Sequence, residues 1–198
     1  MTSVCHITCV HGDHDDRIFF KMARSSAQAG IRTFQVAPGG KDAEEDGVSM
    51  RTFRSPAIRI LRATLGAWRA YRSALRTGAS VMHLHDPELL WAGFRLKRKG
   101  YRVVYDMHEL VTSQILDKAW LGPMSARRVI SRAYARVERR AVRGFDAIVL
   151  AESGYVDELL PLYPVWKDKF HVIRNLPVLA IIDRGRGEVV TTHVFTAI

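Results

Sequence analysis

The sequence predicts an α/β fold, a parallel sheet with helices on both faces, and three observations lead there. Short apolar runs of strand character alternate with amphipathic stretches of helical period along most of the 198 residues. Hydrophobic residues make up 47% of the chain, enough to fill a sizeable core. Three of the strand-like runs end in polar clusters: His11-Gly12-Asp13-His14-Asp15-Asp16-Arg17, His83-Leu84-His85-Asp86-Pro87-Glu88, and Asp106-Met107-His108-Glu109. Parallel strands deliver their carboxyl ends to one edge of an open sheet, and ligands bind in the crevice there. The three clusters are therefore expected to converge on one site.

The elements follow in order. Val4–Val10 reads as a buried strand. Asp15 or Asp16 can cap a helix through Phe19, Met22, Ala23 and Ala27 that stops at Gly30. Ile31–Ala37 is a strand, Lys41–Gly47 an acidic exposed loop, and Val48–Phe53 an alternating strand. Pro56 can open a helix over about 57–76. There Ile58, Leu61, Leu65, Trp68, Tyr71 and Leu75 recur every three or four residues as one apolar stripe, with the sheet as its expected cover. Arg59, Arg62, Arg69, Arg72 and Arg76 each follow a stripe residue by one position, about 100° of rotation, and form a band beside it. Ser80–Leu84 is a strand, Pro87–Lys99 a helix with a basic end, and Tyr101–Tyr105 a strand. A short helix follows His108, a long basic helix spans Pro123–Arg143, and Asp146–Ala151, Glu152–Leu160 and His171–Arg174 read as strand, helix and strand. Asp183–Gly187 reads as a linker and Val189–Ile198 as a further strand.

The formal net charge of +10 points to an anionic partner. From Val48 to His85 there is no Asp or Glu, and Arg127, Arg128, Arg132, Arg136, Arg139, Arg140 and Arg143 face a single acid, Glu138. No nucleic-acid motif accompanies the charge, so none is expected as partner. No apolar run approaches the ~18 residues of a membrane span, and no signal peptide is read. Cys5 and Cys9, ~13 Å apart on a strand, are too distant for a disulfide and read as small buried hydrophobes of a reducing, cytoplasmic setting.

Several chemistries are excluded. The first turn lacks G-x-G-x-x-G, and neither a G-x-x-x-x-G-K-[ST] loop nor a G-x-S-x-G elbow occurs. The His and acid clusters offer metal ligands, but no standard ligand spacing is present, so no metal is expected; a metal-dependent hydrolase stays as an alternative. His83 reads as a packed strand residue. His108, directly after a strand and beside Glu109, can orient or deprotonate a hydroxyl, or donate to a phosphate oxygen.

The run from Val10-His11 through Asp15-Asp16-Arg17-Ile18-Phe19-Phe20-Lys21, with His83-Leu84-His85-Asp86-Pro87-Glu88-Leu89-Leu90, Tyr105-Asp106-Met107-His108-Glu109 and Val172-Ile173-Arg174-Asn175, resembles the N-terminal half of a family 4 glycosyltransferase of GT-B architecture, of the polysaccharide-biosynthesis type. The resemblance covers about residues 3–177. It implies a Rossmann-like unit at 1–177, followed over 178–198 by a linker and the start of a C-terminal donor domain that is otherwise missing or separately encoded. It further implies transfer of a sugar, of hexosyl type, from a nucleotide-sugar to a hydroxyl or lipid-linked acceptor, with retention and without metal or other cofactor. This unit would receive the acceptor and by itself turn over little. By that similarity His108 is the catalytic residue beside the reacting centre. His11, Asp15 and Arg17 line the first loop, and His85, Asp86 and Glu109 shape the cleft. Two departures stand out: Gly12 where the family has Pro after its His, and Met22 where it tends to carry Glu. A lipid-linked acceptor would make use of the band Arg59, Arg62, Arg69, Arg72 and Arg76 against an anionic membrane, peripheral to its inner face. A non-catalytic Rossmann-like module that binds a membrane or a partner protein is the other alternative.

Overall fold

A computed structural model describes residues 2–58 and 61–176. The expected linker and strand at 183–198, and Arg59 of the basic band, lie outside the described residues. Eight strands form one sheet: β1 (Ser3–Ile7), β2 (Arg32–Pro38), β3 (Ala43–Glu45), β4 (Val48–Phe53), β5 (Val81–Leu84), β6 (Arg102–Met107), β7 (Ala147–Leu150) and β8 (Phe170–Val172). Their order is β3-β4-β2-β1-β5-β6-β7-β8, and every pairing is parallel except β3 with β4. The chain runs outward from β1 toward β4 on one side, then returns to place β5 on the other side of β1. The topological switch point thus lies between β1 and β5, where ligand crevices of open α/β sheets form.

The first helical segment is π-wound over Asp16–Ala23 and continues as α1 (Arg24–Gln28). Asp15 caps it, accepting hydrogen bonds from the N–H of Arg17 (2.9 Å) and Ile18 (3.0 Å). Phe19 and Ala23 from this segment pack on Val48 and Met50 and cover one face of the sheet. The opposite face is covered by α2 (Ala67–Leu75, led in by a π-wound Arg62–Gly66), α3 (Leu90–Arg98, led in by a 3-10 turn Pro87–Leu89) and α5 (Met124–Gly144). Smaller helices α4 (Val111–Asp117) and α6 (Gly154–Leu159) fill the connections after β6 and β7. Cys5 and Cys9 are free thiols within the core.

Three expectations change. The acidic loop 41–47 contains β3, turned back on β4 by Asp46 and Gly47, both at positive φ (50° and 77°). An Asp-Gly pair suits such a hairpin turn, because two consecutive positive φ values match the strand twist. Second, β6 reaches Met107 rather than stopping at Tyr105, so Asp106 is a strand residue and buried. Third, the sheet does not cover the whole apolar stripe of 57–76. The face of α2 on the sheet is Ala67, Ala70, Tyr71 and Ala74, whereas Ile58, Leu61, Leu65 and Trp68 remain 63%, 45%, 38% and 46% exposed. Small alanines let the helix axis approach the strands closely, and the large apolar side chains turn away.

A close approach elsewhere is testable. A Cβ on Gly93 of α3 would collide with the Phe145 ring and come within 2.7 Å of Leu84 Cδ1. Gly93→Ala is expected to lower unfolding free energy by ~1–3 kcal/mol, the usual cost of overpacking, read by urea denaturation. Gly144→Ala, which meets nothing within 4 Å, should not.

Candidate functional site

The site is built where β1, β5 and β6 end. The first constraint there is a buried ion pair. Arg17 donates from Nε to Asp106 Oδ2 (2.8 Å) and from Nη2 to Oδ1 (2.7 Å), a bidentate fork, while Nη1 reaches the Ile173 carbonyl (3.2 Å). His85 stands behind this pair, with Nδ1 3.1 Å from Asp106 Oδ2 and Nε2 3.0 Å from His6 Nδ1. Burial alone would push the Asp106 carboxyl up, but hydrogen bonds from Arg17 and His85 outweigh it and hold the group well below the usual carboxylate range.

A second constraint shapes the first loop. Asp86 is buried at the start of the Pro87 turn, yet its carboxylate does not cap that turn. Its Oδ2 accepts from Thr8 Oγ1 (2.8 Å) and from the N–H groups of Cys9 (2.5 Å) and Val10 (3.2 Å). Thr8 Oγ1 in turn accepts from the N–H of His11 (3.0 Å). Asp86 thereby tethers the loop after β1 to the end of β5 and brings His11 Nε2 to 3.5 Å from its own Oδ1. On its other side His11 Nδ1 meets Asp15 Oδ2 at 3.1 Å. The hydrogen bond to Asp15 raises the His11 pKa above its ordinary value, more than partial burial lowers it. Burial pushes Asp15 the other way, but His11 and the N–H groups of Ile18 and Arg17 hold its carboxyl at about 2.

These residues enclose a cavity of about 170 Å³ lined by His11, Asp15, Arg17, Asp106, His108 and Asn175, among others. The rings of His11 and His108 meet edge to face at 5.8 Å between centroids. His108 Nδ1 is buried without a hydrogen-bond partner, a donor or acceptor available to a ligand. The volume is below the ~300 Å³ of a self-contained small-molecule pocket, so the cavity holds one portion of a substrate. Its chemistry is a paired imidazole couple, a carboxylate, and a guanidinium already bound to Asp106: groups suited to orienting hydroxyls and anionic oxygens.

The structure brings together four of the residues singled out from sequence, His11, Asp15, Arg17 and His108. His85 and Asp86 lie behind the cavity wall, fully buried and engaged with Asp106 and with the first loop. Glu109 is exposed and outside the lining. His14 is drawn away to Asp13 and Glu45 of β3. Sequence reasoning placed Asp106 in the third converging cluster but gave it no role, and it gave Asn175 none. Asn175 accepts from Lys21 Nζ (2.7 Å) and also lines a neighbouring cavity of about 290 Å³ with Ser153, Gly154 and Arg174. Its signal was its place directly after the last short strand of the alternation.

The family model described as glycosyl transferase 4-like domain matches residues 17–175. No curated protein matches. Among solved structures, sucrose-phosphate synthase from Thermosynechococcus elongatus is similar with a TM-score of 0.61 at 12% identity, over 88% of this chain and 48% of that one. Os79 from O. sativa in complex with UDP is similar at 0.56 and 14%, over 95% and 55%. A glycosyltransferase from Rickettsia africae ESF-5 is similar at 0.52 and 10%, over 94% and 49%. The chain spans about half the length of these three proteins, and at such identities the likeness is one of fold.

Two outcomes follow from the geometry. Asp106→Ala strands the Arg17 guanidinium in the interior and should cost ~3–5 kcal/mol, the usual penalty for halving a buried pair, measured by denaturant titration. The His11–Asp15 contact also sets a pH window. The raised His11 pKa contributes stability below about 6.5, lost as pH climbs through the folded value. The lowered Asp15 pKa contributes stability above 3.8, lost as pH falls toward about 2. The difference in melting temperature between the native chain and His11→Ala should therefore be greatest between about pH 4 and 6.5 and shrink on either side.

Proposed function

Because this chain belongs to the glycosyl transferase 4-like domain family, we propose that it is the acceptor-side unit of a retaining glycosyltransferase, moving a hexose from a nucleotide-sugar to a hydroxyl of a polysaccharide or lipid-linked acceptor. The observation that carries this reading is the cavity at the sheet's carboxyl edge, with His108 and His11 ring to ring and the unpartnered His108 Nδ1 buried at its wall. In this reading His108 contacts the reacting hydroxyl or sugar. His11, whose pKa the hydrogen bond to Asp15 raises, is the partner for an anionic oxygen. Arg17 sets positive potential at the cavity, although its fork is committed to Asp106. The nucleotide requires a second unit to grip it, so residues 1–177 alone turn over little.

Association with the cytoplasmic face of an anionic membrane belongs to the same reading. No helix among the described residues is long and apolar enough to cross a membrane. The supporting observation is the uncovered face Ile58, Leu61, Leu65 and Trp68, flanked by Arg62, Arg69 and Arg72, with the Arg72 guanidinium 5.2 Å from the Trp68 ring. Apolar side chains beside cations fit an anionic interface, at ~1 kcal/mol per basic residue near the surface.

Transfer from UDP- and GDP-hexoses to lipid-linked acceptors, assayed with the chain joined to a donor-binding unit, tests the reaction. His108→Ala should reduce turnover by at least ~10²-fold with melting unchanged; full activity in that variant would remove His108 from the chemistry. Sedimentation with vesicles tests the docking. The chain should pellet with phosphatidylglycerol vesicles and not with phosphatidylcholine, and Leu65→Asp with Trp68→Ser should release it. Equal binding by that double variant would sink the membrane reading.

A further inference from the structure

Behind the cavity, on the face of the sheet away from α2, three histidines share one pocket of the interior. His6 on β1 and His83 on β5 are direct partners in the strand register, and His85, two residues on, points to the same face. Ring centroids are 5.0 Å apart for His6–His83, 5.3 Å for His6–His85 and 4.4 Å for His83–His85. All three side chains are more than nine-tenths buried. One ring nitrogen from each lies within 4.8 Å of the other two. Nε2 of His6 and Nε2 of His83 have no hydrogen-bond partner. A buried imidazole nitrogen without a partner is costly, and at His83 that cost is removed if a cation takes the Nε2 lone pair.

We propose that His6, His83 and His85 form a site for a divalent cation of the imidazole-preferring class, with Zn²⁺ as its reference ion. A tetrahedral zinc with Zn–N near 2.0–2.1 Å places its nitrogens about 3.4 Å apart. The His6 Nδ1 and His85 Nε2 pair already stands at 3.0 Å, sharing the hydrogen that the cation replaces. His85 is oriented as metal-bound histidines are: its Nδ1 side faces the Asp106 carboxylate, leaving Nε2 for the cation. Along the chain the ligands are one residue of β1 and an i, i+2 pair at the end of β5, His85 directly following it, a spacing that matches no metal motif. The site is separate from the transfer reaction proposed above, but it touches that cavity's wall through Asp106, which holds Arg17.

The test uses the full chain stripped by chelator and desalted. On titration with Zn²⁺ it should bind one equivalent and melt at least 5 °C higher, and Co²⁺ should give the visible absorption of a tetrahedral nitrogen site. His83→Gln should weaken binding at least tenfold, and a paired His14→Ala, Glu45→Gln variant should leave it unchanged. No stoichiometric binding and no Co²⁺ band in the native chain would overturn the proposal without recourse to any variant. Retention in His83→Gln with loss in the His14, Glu45 variant would overturn it as well, moving the ion to the surface.

Discussion

The carboxylate of Asp106 is the point on which the site end of the sheet depends. It is buried at the tip of a central strand, where an ionised group survives only with strong partners. Arg17 supplies two charge-assisted hydrogen bonds and His85 faces a third side. The arginine belongs to the first helix and the carboxylate to β6, 89 residues later in the chain. One electrostatic obligation therefore fixes where the first helix sits relative to the far half of the sheet. Because Arg17 Nη1 also reaches the Ile173 carbonyl, the segment after β8 is drawn to the same spot. Asp86 does the matching work between β1 and β5 through neutral donors. Two buried acids thus build the cavity from behind, and the groups that face a ligand are hung on them.

Much of this was legible beforehand. Apolar runs alternating with stretches of period 3.6 located nearly every element, because parallel strands are buried on both faces. The convergence of His11, Arg17 and His108 followed from strand-end logic alone. What period and spacing do not carry is which polar residue partners which. His85 and Asp86 look like ligand contacts in a row of polar letters, yet strand geometry turns one inward to Asp106 and tethers the other to Thr8 and two N–H groups. For Asp106, a strand end placed two residues early concealed its burial within β6.

The uncovered stripe has a similar cause. Periodicity identifies the largest apolar residues of a helix but not the side on which the sheet lies. In α2 the sheet side is three alanines and Tyr71, the alanines permitting close packing, and bulky Trp68 with the apolar residues of the preceding turns is left outward. The segment 41–47 read as an acidic exposed loop, because Ala43, Glu44 and Glu45 are all exposed and lack the alternation that marks a strand. Only pairing to β4 makes them one.

That short hairpin has a consequence for how the molecule meets others of its kind. An open parallel sheet ends in a row of unpaired N–H and C=O groups, an invitation to another strand. On this side the invitation is withdrawn: the outermost strand is three residues long, runs against the rest, and carries Glu44 and Glu45. Growth of the sheet from one molecule to the next stops at this border. A crowded population of these otherwise cationic chains would meet there through the charges of side chains, with their backbones kept apart.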